Sequence, residues 1–432
     1  MIKEKELTKD TLNLKKIRRK NVKLYPVYKM FAWDLLCFYP IEFLFYTITK
    51  QVTASQILII TAFYIIFKIL LQIPAVTISD FLGKRNSIIL GNILVCIYLL
   101  ILIFAPGMIG IIIANFICAL GYDIKALSET NLLYDSVATK GGEGLYTKID
   151  SKGASCYYYL NGICGLATGY LFVFNNYLPI ITCLIFAMIS TILSFGFKEI
   201  YPKEHTKTKS FKNTFKEYKS DLKQSMKFIL HSNRLKSYIM FGAIFYGIIE
   251  VIDTYKSELL VVKGIPEEQY SIILAALSLI AGISASFSKK IHQKFRNKTL
   301  TFISLSYIGS CLLISIISLK FTNNIAIPII LILYTVLRTC DSIWYIIEYK
   351  YLNNFTKEES RNKIIFAYEF IGGIVASTMS VIGSIVLDIF EINNAFILVS
   401  LVFLIMIVLI LDYMRTRFGL KPNQYKKEDI EF

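Results

Sequence analysis

The chain has 432 residues, 55% of them hydrophobic and 18% charged, with a mean hydropathy of +0.55. Soluble domains carry about 25% charged residues, so this composition excludes one and points to the lipid bilayer. The formal net charge of +16 invites a nucleic-acid reading, but no soluble stretch is long enough to carry a basic binding face, and no nucleic-acid partner is expected.

Residues 1–27 are polar and basic, with Lys15, Lys16, Arg18, Arg19 and Lys20 clustered. They lack the apolar core and small-residue cleavage site of a secretory signal, and read as a cytoplasmic tail. Apolar runs able to cross the roughly 30 Å hydrocarbon core follow at 28–47, 55–78, 87–105, 108–134, 155–173, 178–196, 237–259, 270–288, 300–319, 326–349, 364–386 and 394–411. That makes twelve spans. Alternate connections are short and poor in cations, while the others carry Lys84 with Arg85, Lys140 with Lys148, Lys289 with Lys290, and Arg361 with Lys363, and a basic tail starts at Arg415. The positive-inside rule therefore places both termini in the cytoplasm of a multi-pass plasma-membrane protein.

Residues 198–236 form the one long connection, basic and with apolar residues at helical spacing over 211–229. One or two interfacial helices are expected there. The expected architecture is all-α: an N-terminal six-helix bundle over 28–197, a cytoplasmic linker over 198–236, a C-terminal six-helix bundle over 237–411, and a cytoplasmic tail over 412–432. A chain of six spans, a basic middle and six more spans is the plan of a two-bundle secondary transporter.

Ionisable residues inside spans are expensive, at least about 2.5–3.5 kcal/mol each at mid-bilayer, so they are expected to face the protein interior or water. Span 1 has Asp34 and Glu42, span 4 has Asp123, Lys125 and Glu129, span 7 has Glu250 and Asp253, and span 10 has Arg338, Asp341 and Glu348. Lys68, in span 2, stands apart from this set. Lys125 with Glu129 and Arg338 with Asp341 are at i, i+4 and i, i+3, so each can pair within its own helix. Asp123 points about 200° away from Lys125, so the two cannot face one cavity. Glu250 and Asp253 are both acids at i, i+3, and two carboxylates this close cannot both stay ionised cheaply in low dielectric. That marks the pair as a proton-exchange candidate. The surplus of acids favours cations or protons over anions. Phe31, Trp33, Phe38, Tyr39, Tyr122, Phe245, Tyr246, Tyr255, Trp344 and Tyr345 add aromatic surface suited to lipophilic cations.

The eight cysteines sit singly in apolar runs and read as buried free thiols, and His205, His231 and His292 all fall in loops. Neither a metal site nor a cofactor is expected. No HExxH, GxSxG or phosphate-binding glycine loop is present, so an enzyme is not expected either.

The turn between spans 2 and 3, Ser79-Asp80-Phe81-Leu82-Gly83-Lys84-Arg85, resembles the cytoplasmic loop signature of the major facilitator superfamily. Asp80, Gly83, Lys84 and Arg85 stand where that pattern wants them, while Val76 replaces its first glycine and Phe81 one of its bases. Gln72-Ile73-Pro74 and Leu132-Leu133-Tyr134-Asp135-Ser136 resemble segments of bacterial permeases of that family described as efflux or multidrug transporters. The resemblance implies a cavity lined by helices 1, 4, 7 and 10, and a cytoplasmic latch in which Asp80 and Arg85 act, Lys84 adds charge and Gly83 makes the turn. Asp34, Glu42, Asp123, Glu129, Glu250, Asp253, Arg338 and Asp341 are the expected substrate and proton residues.

The function expected is alternating-access export of a lipophilic or cationic small molecule, coupled to protons or Na+, by a monomer in the bilayer. Proton-coupled uptake of a narrow-range metabolite uses the same parts, and a non-transporting channel or receptor-like protein is the remaining alternative. Gly162, Gly165 and Gly169 in span 5, and Gly372 with Gly373 in span 11, offer small faces for close helix contact.

Overall fold

The computed structural model describes residues 2–138, 142–200, 211–295, 298–321, 326–355, 361–415 and 417. Parts of the expected linker (201–210) and tail (416 and 418–432) lie outside them. The described residues are helical and contain no strand. In order, the helices are α1 (Ile2–Ala32), α2 (Glu42–Leu44), α3 (Ala54–Leu82), α4 (Lys84–Phe104), α5 (Gly107–Val137), α6 (Gly142–Phe174) and α7 (Leu178–Ser194). They continue with α8 (Phe211–His231), α9 (Asn233–Val262), α10 (Glu267–Phe295), α11 (Thr299–Lys320), α12 (Ala326–Phe355), α13 (Arg361–Ile389) and α14 (Ile392–Arg415). Among the described residues nine helices are long and apolar enough to cross a membrane. The remaining expected spans correspond to α6, to the shorter α7, and to a first span that is interrupted. The all-α, twelve-span plan of a multi-pass membrane protein accounts for these elements.

The first span differs most from its expected form. Helix α1 ends at Ala32, and the chain resumes helical geometry only in a 3-10 turn, Tyr39–Ile41, followed by α2 and a π-helical turn, Phe45–Thr49. Two residues explain the break. Pro40 has no N–H to donate to Leu36 and its ring clashes with the Leu36 carbonyl of a continuing helix, so an α-helix cannot run through this position and Pro40 stands instead in the first turn of the 3-10 segment. Asp34 Oδ1 accepts the Leu35 N–H at 3.0 Å, competing with the helical ladder.

Helix α1 also begins far inside the stretch expected to be a tail. Arg18, Asn21, Tyr25, Tyr28 and Ala32 are buried at steps of three and four residues, one face of a helix, while Lys15, Lys16, Arg19, Lys20 and Lys23 fall on its exposed side. Asn21 Nδ2 donates to the Lys198 carbonyl at 2.8 Å and to Ser136 Oγ at 3.1 Å, tying this face to the ends of spans 4 and 6. The basic composition had masked an amphipathic face.

The chain divides into two compact units. Unit 1 comprises Met1–Phe45 and Leu70–Phe215, and unit 2 comprises Tyr46–Ile69 and Lys216–Phe432. In unit 1, α1 packs on α5, α6 and α7, and α4 on α5 and α7. Tyr25, Tyr28, Ala32, Ile88, Leu132, Leu133, Val137, Ile149 and Phe197 form an apolar core there.

In unit 2, α9 packs on α13 and α14, and α12 on α10 and α11. The first half of α3 belongs to this unit because α13 presents small residues to it. A Cβ at Gly373 would stand 2.1 Å from Ile69 Cδ1, and Ser377 Oγ donates to the Ala62 carbonyl at 3.1 Å. Helix α8, expected from the spacing over 211–229, buries Ser225 and Ile229, and its Asp221 pairs with Lys363 of α13 at 2.9 Å. Lys216, Lys219, Lys223 and Lys227 line its exposed side.

Candidate functional site

Unit 1 holds a buried polar chain that begins at the helix break. A helix that stops at Ala32 leaves the carbonyls of its last turn without intrahelical donors. Lys125, 3% exposed on α5, answers one of them: its Nζ donates to the Ala32 carbonyl at 2.5 Å and lies 3.5 Å from Asn92 Oδ1. The ammonium also sits 4.3 Å from the Tyr122 ring centroid. Asn92, buried on α4, donates through Nδ2 to Tyr28 Oη at 2.9 Å, and Tyr28 Oη donates to Glu129 Oε1 at 2.6 Å.

Lys125 and Glu129 thus lie on one face as their spacing implies, yet no direct ion pair joins them. They are linked through Asn92 and Tyr28, neither of which their spacing singled out. Asp34 lies in the break, half-buried and within electrostatic reach of Lys125. Glu42 opens α2, and Asp123 is half-buried on α5. Below the break, Lys29 pairs with Asp150 at 2.5 Å and its Nζ lies 4.2 Å from the Trp33 ring centroid.

Unit 2 assembles its charges on α9 and α12. Asp253 does not stand as a bare acid beside Glu250. It forms an ion pair with Lys256, one turn further along α9, whose side chain is 8% exposed against 52% for that of Asp253. Lys256 was absent from the intramembrane set expected from the sequence, although it lies within span 7. Its carbonyl accepts the Tyr334 hydroxyl at 3.0 Å. Glu250 receives a hydrogen bond from Tyr246, one turn earlier.

Asp341, on α12, is 1% exposed, and neither carboxylate oxygen has a hydrogen-bond donor among the described residues. The expected Arg338–Asp341 ion pair does not form. Instead Asp253, Lys256, Arg338 and Glu250 surround Asp341 within electrostatic reach, as does Tyr307. Glu348 lies apart, its carboxylate holding the Tyr368 hydroxyl and its carbonyl the Tyr238 hydroxyl at 2.7 Å. Of the aromatics expected to line a cavity, Phe38, Phe245, Tyr255 and Trp344 are fully buried and pack, whereas Trp33, Tyr39 and Tyr345 are exposed by 39%, 43% and 46%.

The loop residues form a tight structure within unit 1. Gly83 has φ +81° and ψ 167°, backbone that glycine alone adopts readily, and it starts α4. Lys84 pairs with Asp135 at the end of α5. The Arg85 N–H donates to Glu199 Oε1 at 2.9 Å and Arg85 Nη2 to the Phe195 carbonyl at 3.3 Å. Glu199 is thereby the anion at the positive end of α4, a role its loop position did not announce. Asp80 is exposed.

No curated protein matches the chain. Several solved structures share its fold at low sequence identity. A nucleoside transporter, NupG, aligns with a TM-score of 0.69 at 10% identity over 94% of this chain and 100% of its own. A POT family transporter in complex with 5-aminolevulinic acid gives 0.64 at 13% identity over 94% and 96%. An inward-facing bacterial homologue of the iron transporter ferroportin gives 0.61 at 13% over 95% and 99%. The family model described as Major Facilitator Superfamily matches residues 30–340 and 264–431, together nearly the whole length. Taken with the helical plan, that match places the chain in the Major Facilitator Superfamily, as a multi-pass membrane transporter of a small-molecule substrate.

Proposed function

We propose that the protein exports small lipophilic or cationic molecules in exchange for protons, as a monomer in the plasma membrane with both termini in the cytoplasm. Asp341 carries this reading: a buried carboxyl to which no group among the described residues donates, with Asp253, Lys256, Arg338 and Glu250 around it. A carboxylate so placed is neutralised either by a proton or by a cationic substrate, and the two exclude each other. Mutual exclusion at one carboxyl is what an exchanger needs.

Asp253 already has Lys256 as its counter-charge, so it serves to position that lysine and the main exchange falls to Asp341 rather than to a Glu250–Asp253 pair. Glu250 and Arg338 tune its field; within unit 1, Asp34, Glu42, Asp123 and Glu129 are the acids proposed to bind substrate or protons. Asp80, Gly83, Lys84 and Arg85 form the cytoplasmic latch, in which the Lys84–Asp135 pair and the Glu199 cap hold the turn. The direction of export rests on the likeness of Gln72–Pro74 and Leu132–Ser136 to efflux permeases.

The test is accumulation of a fluorescent lipophilic cation in cells, with and without a protonophore, for the wild type and Asp341→Asn. Expression of the wild type is expected to lower accumulation only while the proton gradient stands, and Asp341→Asn to abolish that effect at equal membrane abundance. Gradient-driven export that survives in Asp341→Asn refutes the assignment. Gradient-driven uptake would reverse the direction and retain the site.

A further inference from the structure

The interrupted first span of unit 1 presents a buried helix C-terminus. Such an end is the negative pole of the helix, and its free carbonyls bind cations where transporters are built on broken helices. At Ala32 that position is filled by a side chain. Lys125 Nζ lies 2.5 Å from the Ala32 carbonyl oxygen and 3.5 Å from Asn92 Oδ1, with the Tyr122 ring 4.3 Å away.

Among the described residues the ammonium has no carboxylate within ion-pair distance. Glu129, one turn along the same helix, is engaged by Tyr28, and Asp34 turns Oδ1 to the Leu35 N–H. Two oxygens and an aromatic face around a dehydrated single charge are the surroundings of a bound monovalent cation. A lysine kept only for packing would be replaceable by an apolar residue. A lysine kept only as a counter-ion would lie against an acid.

We propose that the break in the first span is a monovalent-cation site whose resident cation is the Lys125 ammonium, so that removing the side chain opens the site to Na+. The proposal is independent of Asp341 and of the transported substrate, and a failure of one leaves the other standing.

The test uses the purified full-length protein in lipid, with thermal midpoints measured in Na+, Li+ and choline at matched ionic strength. The wild type is expected to be indifferent to the cation. Lys125→Ala, which vacates the space but keeps the Cβ, is expected to gain a saturable Na+-dependent rise of about 2 °C. Lys125→Met, which refills the space with apolar atoms, is expected to show none. A simple helix cap predicts destabilisation in both variants and no difference between Na+ and choline in either, and that result overturns the proposal. A Na+ response of equal size in the wild type or in Lys125→Met overturns it too, since the ion would bind elsewhere. If Lys125→Ala is not recovered folded, Lys125→Ser takes its place with the same expected outcomes.

Discussion

The crossing of α4 over α5, directly behind the Lys125 side chain, allows a quantitative test. A Cβ added at Gly91 would stand 2.6 Å from Lys125 Cβ and 2.7 Å from the Gly121 carbonyl oxygen. Neither neighbour can rotate away, because one is backbone and the other is bonded to its Cα. Gly91→Ala must therefore push the helices apart, at an overpacking cost of about 1–3 kcal/mol. Against this, alanine gains about 0.8–1.0 kcal/mol over glycine in a helix interior. Gly162→Ala, on α6, is the matched control, since a Cβ there meets nothing within 4 Å. The propensity gain is common to both and cancels in the comparison. Gly91→Ala is expected to be less stable than Gly162→Ala by about 1–3 kcal/mol. Thermal or denaturant unfolding of both variants in the same lipid reads the difference. If Gly91→Ala is as stable as Gly162→Ala, the close approach is not real, and the position assigned to Lys125 fails with it.

Two further substitutions probe the other sites. Asp253→Asn leaves the buried Lys256 ammonium without its partner, whereas Lys256→Met leaves the half-exposed Asp253 carboxylate. The first is expected to destabilise by about 3 kcal/mol or more, the second by about 1 kcal/mol or less, and the double variant to recover most of the first loss. Equal losses in the two single variants would contradict the burial asymmetry. Gly83→Ala forces a side chain into backbone reserved for glycine and brings a Cβ 2.6 Å from Glu199 Oε1, at about 1–3 kcal/mol of strain. Adding Glu199→Ala is expected to relieve the contact but not the backbone strain, so recovery in an unfolding scan should be partial. Complete recovery would show that the backbone at residue 83 is unstrained.

The helical plan was legible because it rests on quantities that the sequence states directly. Run length decides which segments can cross lipid, and cation placement decides their direction, so α3, α4, α9 and α11 to α14 fall where the apolar runs do. The break in the first span is also written there: Pro40 stands in the middle of the run and Asp34 in its first half, within otherwise apolar sequence. The buried face of α1 was readable as spacing and obscured by its lysines. What the sequence could not supply were contacts between distant segments. Tyr28 meets Glu129 across 101 positions and Asn21 meets Lys198 across 177, and nothing in either partner specifies the other. Lys256 was a different kind of miss. It lay inside an assigned span, one turn after Asp253, where i, i+3 spacing already implied a partner.

That pair changes how the intramembrane charges divide between work and structure. A carboxylate with a cation or hydroxyl donor in hand gives up that contact when it takes a proton, so exchange there is opposed by the loss of a charge-assisted hydrogen bond. Glu129, held by Tyr28, and Asp253, held by Lys256, are both in this position. Among the described residues Asp341 has no such contact to lose. Two cations, Arg338 and Lys256, and two acids, Asp253 and Glu250, lie within electrostatic reach of it. In the exchange proposed above, a proton or a cationic substrate neutralises the Asp341 carboxyl. The same logic separates Lys256 from Lys125. Lys256 neutralises an acid, while Lys125 rests on a backbone carbonyl and a side-chain amide, and only the second stands where a mobile ion can replace it.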